Sequence, residues 1–223
     1  MALYLIATPL GNPMDIGLRS LEKLKSVATI ILEERKEGTQ FLRAHGITGK
    51  NYAQLNEHTD AAELAELTQL CQKEDVALIT DCGTPGFCDP GAHLVRSCRQ
   101  AGIPVHSYPG PSSLMLILSL SSVRLDQFLF RGFISAETSQ REQDWLQLTK
   151  YKEAIVMMDT PYRLQKTLDD LEKWMPQRRV LLGLSLTQDT EQILEGRVKD
   201  FRPRIQDKKA EFILLIYPMG STS

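Results

Sequence analysis

The segment Ile79-Thr80-Asp81-Cys82-Gly83-Thr84-Pro85-Gly86-Phe87-Cys88-Asp89-Pro90-Gly91 holds the residue types best suited to meeting a ligand. It follows the apolar run Val76-Ala77-Leu78-Ile79, which reads as a buried strand. It ends in Asp-Pro-Gly, which reads as a helix start with Asp89 as N-cap and Pro90 at the first helical position. A connection this long and rich in glycine exceeds the ordinary strand–helix loop of roughly 2–6 residues. Glycines let a ligand approach the backbone closely. Asp81 is suited to touching such a ligand, and equally to capping its own loop. Two further polar clusters accompany it: Glu33-Glu34-Arg35-Lys36 and Asn56-Glu57-His58.

These groups need elements to position them. Ala2 to Ala7 reads as a central strand, followed by the turn cluster Thr8-Pro9-Leu10-Gly11-Asn12-Pro13. Leu18, Leu21 and Leu24 stand at helical spacing. Ala28 to Leu32 is a second strand, ending in the Glu33–Lys36 charges. Thr39 to His45 reads as a short helix, and Leu64, Leu67 and Leu70 mark another. Leu94, Val95, Cys98 and Ala101 mark a further helix. Ile103 to Tyr108 is a strand running into Pro109-Gly110-Pro111-Ser112-Ser113, which opens an apolar helix to about Leu120. This β-α alternation predicts a mainly parallel sheet with helices on both faces, its turn clusters sharing one edge.

After Ser121 the pattern changes. Phe128–Phe133, Ala154–Met158, Val180–Leu184, Gln192–Val198 and Glu211–Tyr217 read as strands, with helices at Ser139–Tyr151 and Pro161–Trp174. Closely spaced terminal strands predict antiparallel pairing and a mixed sheet. The expected organisation is therefore two α/β domains, 1–121 and 122–223.

Composition narrows the function classes. A hydrophobic content of 42% is enough for buried cores, and there is no apolar run of membrane-spanning length. No basic leader precedes the first strand, so a cytoplasmic location is expected. Cys71, Cys82, Cys88 and Cys98 lack CxxC spacing, so neither zinc nor another metal is implied. A net charge of −2 exerts no global pull on nucleic acid. The local basic excess from Arg197 to Lys209 is either a solvated face or a phosphate contact. Neither G-x-G-x-x-G after the first strand, nor a P-loop, nor a G-x-S-x-G elbow is present.

Taken together, the motifs resemble the tetrapyrrole methylase superfamily, the class III S-adenosylmethionine-dependent methyltransferases. Within it, the chain is most similar to the ribosomal small-subunit RNA (cytidine-2′-O)-methyltransferases. The resemblance spans essentially the whole chain. It is carried by Leu3 to Asn12, Asp15-Ile16, Asn56-Glu57-His58, Thr80 to Gly91, Pro109 to Ser113, Phe128 to Phe133 and Thr160-Pro161-Tyr162-Arg163.

The resemblance implies that S-adenosylmethionine lies in a cleft between the two domains, held largely by backbone. Leu10, Asp81, Gly83, Thr84, Ser112 and Ser113 would contact it from the first three loops. Asp159, Tyr162, Leu186 and Thr187 would do so from the second domain. It implies RNA, from the small ribosomal subunit, as partner, rRNA processing as the role and a homodimer as the assembly. A ribose hydroxyl is a weak nucleophile, so a general base would help. The candidates are Glu33, Glu34 and His58, although Glu33 also suits a solvated charge and His58 a capping or packing role.

The chain departs from the RNA enzymes at several points. They typically read Glu-Asp-Thr-Arg where this chain has Glu33-Glu34-Arg35-Lys36, and Glu-Ser-Pro-His-Arg where it has Asp159-Thr160-Pro161-Tyr162-Arg163. Their Arg-Glu-Leu-Thr is Leu184-Ser185-Leu186-Thr187 here, and their usual alanine is Cys82. A divergent member is therefore expected. Two other readings share the same donor loops: methyl transfer to a tetrapyrrole or other small acceptor, and a donor-binding module without turnover.

Overall fold

The computed structural model describes residues 1–205 and 209–221. The chain forms two compact units, Met1–Ser112 and Ser113–Ser223.

The first unit contains β1 (Leu3–Ile6), α1 (Leu18–Ser26), β2 (Thr29–Leu32), α2 (Arg35–Ala44), β3 (Asn51–Gln54), α3 (Ala61–Lys73), β4 (Val76–Leu78), α4 (Gly91–Gln100) and β5 (Val105–Tyr108). Its five strands run in the order β3-β2-β4-β1-β5, every pair parallel. Because side chains alternate along a strand, the sheet feeds two cores. Leu3, Leu5, Ile31, Val76 and Leu78 face α3 and α4 through Leu67, Cys71, Leu94 and Cys98. Ile6, Ile30, Leu32, Ala77 and Ile79 face α1 and α2 through Leu24 and Leu42. Helices on both faces, as the β-α alternation predicts, follow from this two-sided burial.

The second unit contains α5 (Ser113–Ser119), β6 (Phe128–Phe133), α6 (Thr138–Leu148), β7 (Ala154–Asp159), α7 (Leu164–Trp174), β8 (Val180–Leu184), β9 (Gln192–Gly196), α8 (Val198–Phe201) and β10 (Phe212–Ile216). The sheet order is β6-β7-β10-β8-β9, parallel between β6 and β7 and antiparallel elsewhere. One face packs on α6, α7 and α8 through Trp145, Leu168 and Phe201. The other packs on α5 through Ile117.

Four expectations need correction. The division between units falls at Ser112/Ser113, earlier than 121/122, because α5 buries Ile117 in the second unit's core. The helix after Leu32 begins at Arg35, four residues before Thr39. Its first turn is charged and gives no apolar signal. Gly38 there lets the helix approach β2, since a Cβ would lie 2.8 Å from Leu32 Cδ2. Strand β3 was not expected, because Asn51-Tyr52-Ala53-Gln54 is a partly exposed edge strand with no apolar run. Finally, the first assigned residue of α4 is Gly91, one later than expected, while Asp89 keeps the expected capping bond from the Gly91 N–H and also turns back into the preceding loop.

Candidate functional site

The strands β4, β1 and β5 are neighbours, so the loops that follow them leave the same sheet edge side by side. Backbone and side-chain bonds join them. Thr8 N–H donates to the Gly83 carbonyl at 2.9 Å and Gly83 N–H to the Thr8 carbonyl at 3.0 Å. The Thr8 hydroxyl donates to the Thr80 carbonyl at 3.0 Å, and the Thr84 hydroxyl to the Pro111 carbonyl at 3.2 Å. Gly110 lies so close to β1 that a Cβ would come within 2.7 Å of the Ala7 Cβ. Gly110→Ala is therefore expected to cost about 1–3 kcal/mol through overpacking, read as a lower urea midpoint.

Leu10, Gly83, Thr84 and Ser112, four of the positions implied by the resemblance, belong to this joined set. A Cβ at Gly83 would meet Leu10 Cδ2 at 3.6 Å, and Gly83 is buried with both backbone groups bonded to Thr8. A Cβ at Gly86, by contrast, would meet nothing within 4 Å, so the loop backbone faces open space at Gly86. Asp89 organises the far half of the loop. Its carboxylate accepts N–H groups from Gly86 at 2.8 and 2.9 Å, Phe87 at 3.2 Å and Gly91 at 2.7 Å. The helix-cap role predicted for Asp89 is joined by bonds from Gly86 and Phe87, three and two residues earlier in the same loop.

Next to this lies a groove of about 810 Å³ at the carboxyl ends of β2, β3 and β4. It brings together Glu33, Glu34, His58 and Asp81, which are far apart in sequence. Glu57, Asp60 and Asp89 also line it, so it presents six carboxylates. Glu33 and Asp81 are interlocked. Asp81 N–H donates to Glu33 Oε2 at 3.3 Å, and Glu34 N–H donates to Asp81 Oδ1 at 3.2 Å. Burial, reinforced by repulsion from Asp81, Asp89 and Glu57, raises the Glu33 carboxyl above the ordinary range. Burial, with repulsion from Glu37 and Glu34, raises Asp81 in the same direction. His58 stands at the rim, its side chain 84% exposed and 3.8 Å from Glu57. It neither packs nor caps α3, whose N-cap is Asp60 in a capping box with Glu63.

In the second unit, Asp159 on β7 and Leu184 on β8 flank the same residue of β10, Phe212. The turns after β7 and β8 therefore emerge at one edge. Ser113 belongs to the same unit, its hydroxyl 3.9 Å from Met158 Sδ. The Asp159 side chain is fully buried and engaged. It accepts from Arg141 Nη1 at 2.9 Å, Thr167 Oγ1 at 3.0 Å, Arg163 Nε at 2.6 Å and Thr160 N–H at 2.8 Å. Position 159 thus offers a ligand its backbone and not its carboxylate. Arg141 bridges Asp159 to Asp170, a network that no local pattern announced. Leu186 is buried against Gly183 and Ile117, whereas Tyr162 is 78% exposed beneath the Lys209 ammonium. Thr187 has a φ of 66° and donates its N–H to Glu191.

Of the basic run, Gln206–Lys208 lie outside the described residues. Arg202 is paired with Asp169 and Glu172, so part of the run is held in ion pairs. No helix of the described residues is long and apolar enough to cross a membrane.

The comparisons agree with this architecture. The sequence pattern of the Tetrapyrrole (Corrin/Porphyrin) Methylases matches residues 2–202. The chain belongs to that family, a family of methyltransferases. It is 34% identical over 97% of its length to a Neisseria meningitidis protein named Ribosomal RNA small subunit methyltransferase I, covering 76% of that protein. A Leptospira biflexa protein of the same name is 32% identical, with 96% and 90% covered. Among solved structures, the fold matches a cobalt precorrin-4 methyltransferase with a TM-score of 0.70 at 16% identity, covering 97% of this chain and 94% of that one. It also matches a Thermus thermophilus uroporphyrin-III C-methyltransferase complexed with S-adenosyl homocysteine, with a TM-score of 0.65 at 15% identity and coverage of 96% and 97%.

Proposed function

We propose that this chain is an S-adenosylmethionine-dependent methyltransferase whose acceptor is a ribose 2′-hydroxyl of small-subunit ribosomal RNA. The relatives named for that RNA support the acceptor at about a third identity over nearly the whole chain. One structural observation carries the chemistry: the joined loops after β1, β4 and β5 adjoin a groove holding two carboxylates of raised pKa. The residues present fit the donor. The open backbone at Gly86 leaves room for close approach, and Asp81 is complementary to a cationic ligand.

When bound, S-adenosylmethionine supplies a methyl group already activated on a sulfonium. In the first unit, Leu10, Asp81, Gly83, Thr84 and Ser112 would hold the donor and orient the methyl. Glu33 takes the proton of the 2′-hydroxyl as its oxygen attacks the methyl carbon. With the methyl transferred, the donor would be left as a neutral thioether and the proton would rest on Glu33. A carboxylate of raised pKa is a better proton acceptor than an ordinary one, which suits it to this task. Glu34 and His58 line the same groove as secondary candidates. The six carboxylates disfavour an acceptor that itself carries many carboxylates, which speaks against a carboxylated tetrapyrrole. Assembly as a homodimer and action in the cytoplasm belong to the same proposal.

Calorimetric titration with S-adenosylmethionine tests the donor site. Wild type is expected to bind, and Asp81→Ala to bind at least tenfold more weakly, in line with about 1.5–3 kcal/mol for a hydrogen bond to a charged group. Absence of binding at millimolar donor would overturn the proposal. Methyl incorporation into small-subunit RNA, but not into the same sequence as DNA, would support the acceptor, because only RNA carries the 2′-hydroxyl.

A further inference from the structure

The acidic groove poses an electrostatic problem for an RNA substrate. Six carboxylates repel phosphates, so the backbone on either side of the target ribose must be held elsewhere. A second, shallower groove of about 640 Å³ runs along α2, lined by Arg35, Lys36, Thr39, Gln40 and Arg43. Glu34 lines both grooves, so the two adjoin at that residue. At 100° per residue, Arg35, Thr39, Arg43, Lys36 and Gln40 fall within one face of α2. The adjoining face buries Gly38 and Leu42. Arg35, Lys36 and Arg43 are exposed, and none of the three forms an ion pair among the described residues. Arg131, Arg141, Arg163, Arg179 and Arg202 are paired with carboxylates, whereas Arg96 and Arg99 on α4, like the α2 cations, form no ion pair among the described residues.

We infer that the exposed face of α2 is the track for the RNA backbone: Arg35, Lys36 and Arg43 hold consecutive phosphates and deliver the ribose to Glu33 and Glu34. This rests on the proposed RNA acceptor and adds the surface that recognises it. Gln40 and Thr39 supply neutral hydrogen-bonding groups between the cations, suited to sugar and phosphate oxygens. The three cations attract the strand, while the acidic groove excludes its phosphates and admits the uncharged ribose.

The test is fluorescence-anisotropy binding of a labelled single-stranded oligocytidylate RNA across a salt series, on samples whose S-adenosylmethionine binding is measured in parallel. The subject is the triple variant R35Q/K36Q/R43Q. Its control is K73Q/R96Q/R99Q, which removes the same charge from α3 and α4 on the other face of the sheet. At about 0.7 per phosphate on a single strand, the log–log salt slope of the α2 variant is expected to fall by about 2, with binding at low salt weakened tenfold or more. Its donor binding and the control's RNA binding are expected to match wild type. Unchanged RNA binding in the α2 variant would overturn the inference and leave the RNA acceptor standing. Equal weakening in the control would also overturn it, because net charge would then be the cause. Absence of salt-dependent RNA binding by wild type would overturn the RNA acceptor itself.

Discussion

Glu33→Gln is expected to lower kcat by about a hundredfold or more while leaving S-adenosylmethionine affinity unchanged. The substitution keeps the shape and an acceptor for the Asp81 N–H, but removes the group proposed to take the ribose proton. The pH profile carries the stronger signature. The proton acceptor must be ionised, and burial with three carboxylate neighbours raises the Glu33 pKa. The acid limb of the wild-type rate is therefore expected above the ordinary glutamate value of about 4.3, with activity falling as pH drops through the raised pKa. In Glu33→Gln that limb disappears. A variant that retains wild-type kcat would remove Glu33 from the reaction. Stability shifts in a related way. A carboxyl raised in the folded state contributes stability that is full below its unfolded pKa and is lost as pH rises through the folded one. The glutamine variant is thus expected to be more stable than wild type at neutral pH, with the difference shrinking in acid.

Asp159→Ala carries the largest expected effect on stability, a loss of about 3–5 kcal/mol in urea unfolding. The substitution leaves the Arg141 guanidinium in the core with one of its two carboxylate partners gone, and strands the Thr167 hydroxyl beside it. A buried charge without its partner retains its desolvation cost and loses the compensating attraction. The double variant Arg141→Met with Asp159→Ala is expected to recover part of the loss, because it removes the uncompensated charge. If Asp159→Ala instead unfolds like wild type but binds donor poorly, its carboxylate is a ligand group and not the anchor of its own turn.

Much of the organisation was legible in the chain. Alternating apolar strands and amphipathic helices defined a two-sided parallel sheet because each strand residue must face one core or the other. Val76–Ile79 could belong only to a buried strand, and the glycine- and proline-rich run after it only to a loop. The same logic located the strands of the mixed sheet, each a short apolar run bounded by turn residues. What escaped was whatever lacked a local pattern. Strand β3 is half exposed at a sheet edge, and the first turn of α2 is charged, so neither offers periodicity.

For the site, residue types and spacing determined that Leu10, Gly83, Thr84 and Ser112 lie in loops on one sheet edge, because loops following parallel strands of one sheet must emerge together. Tertiary structure alone decided how those positions are used. The Asp89 carboxylate gathers N–H groups from its own loop, Asp159 is consumed by Arg141 and Arg163, and Leu186 is buried in a core. Glu33 and Asp81, far apart in sequence, interlock at a groove that raises both their pKa values. The reason is physical. Periodicity and propensity act over a few residues and are written locally, whereas the partner of a carboxylate and the water it loses depend on which distant segments the sheet brings beside it.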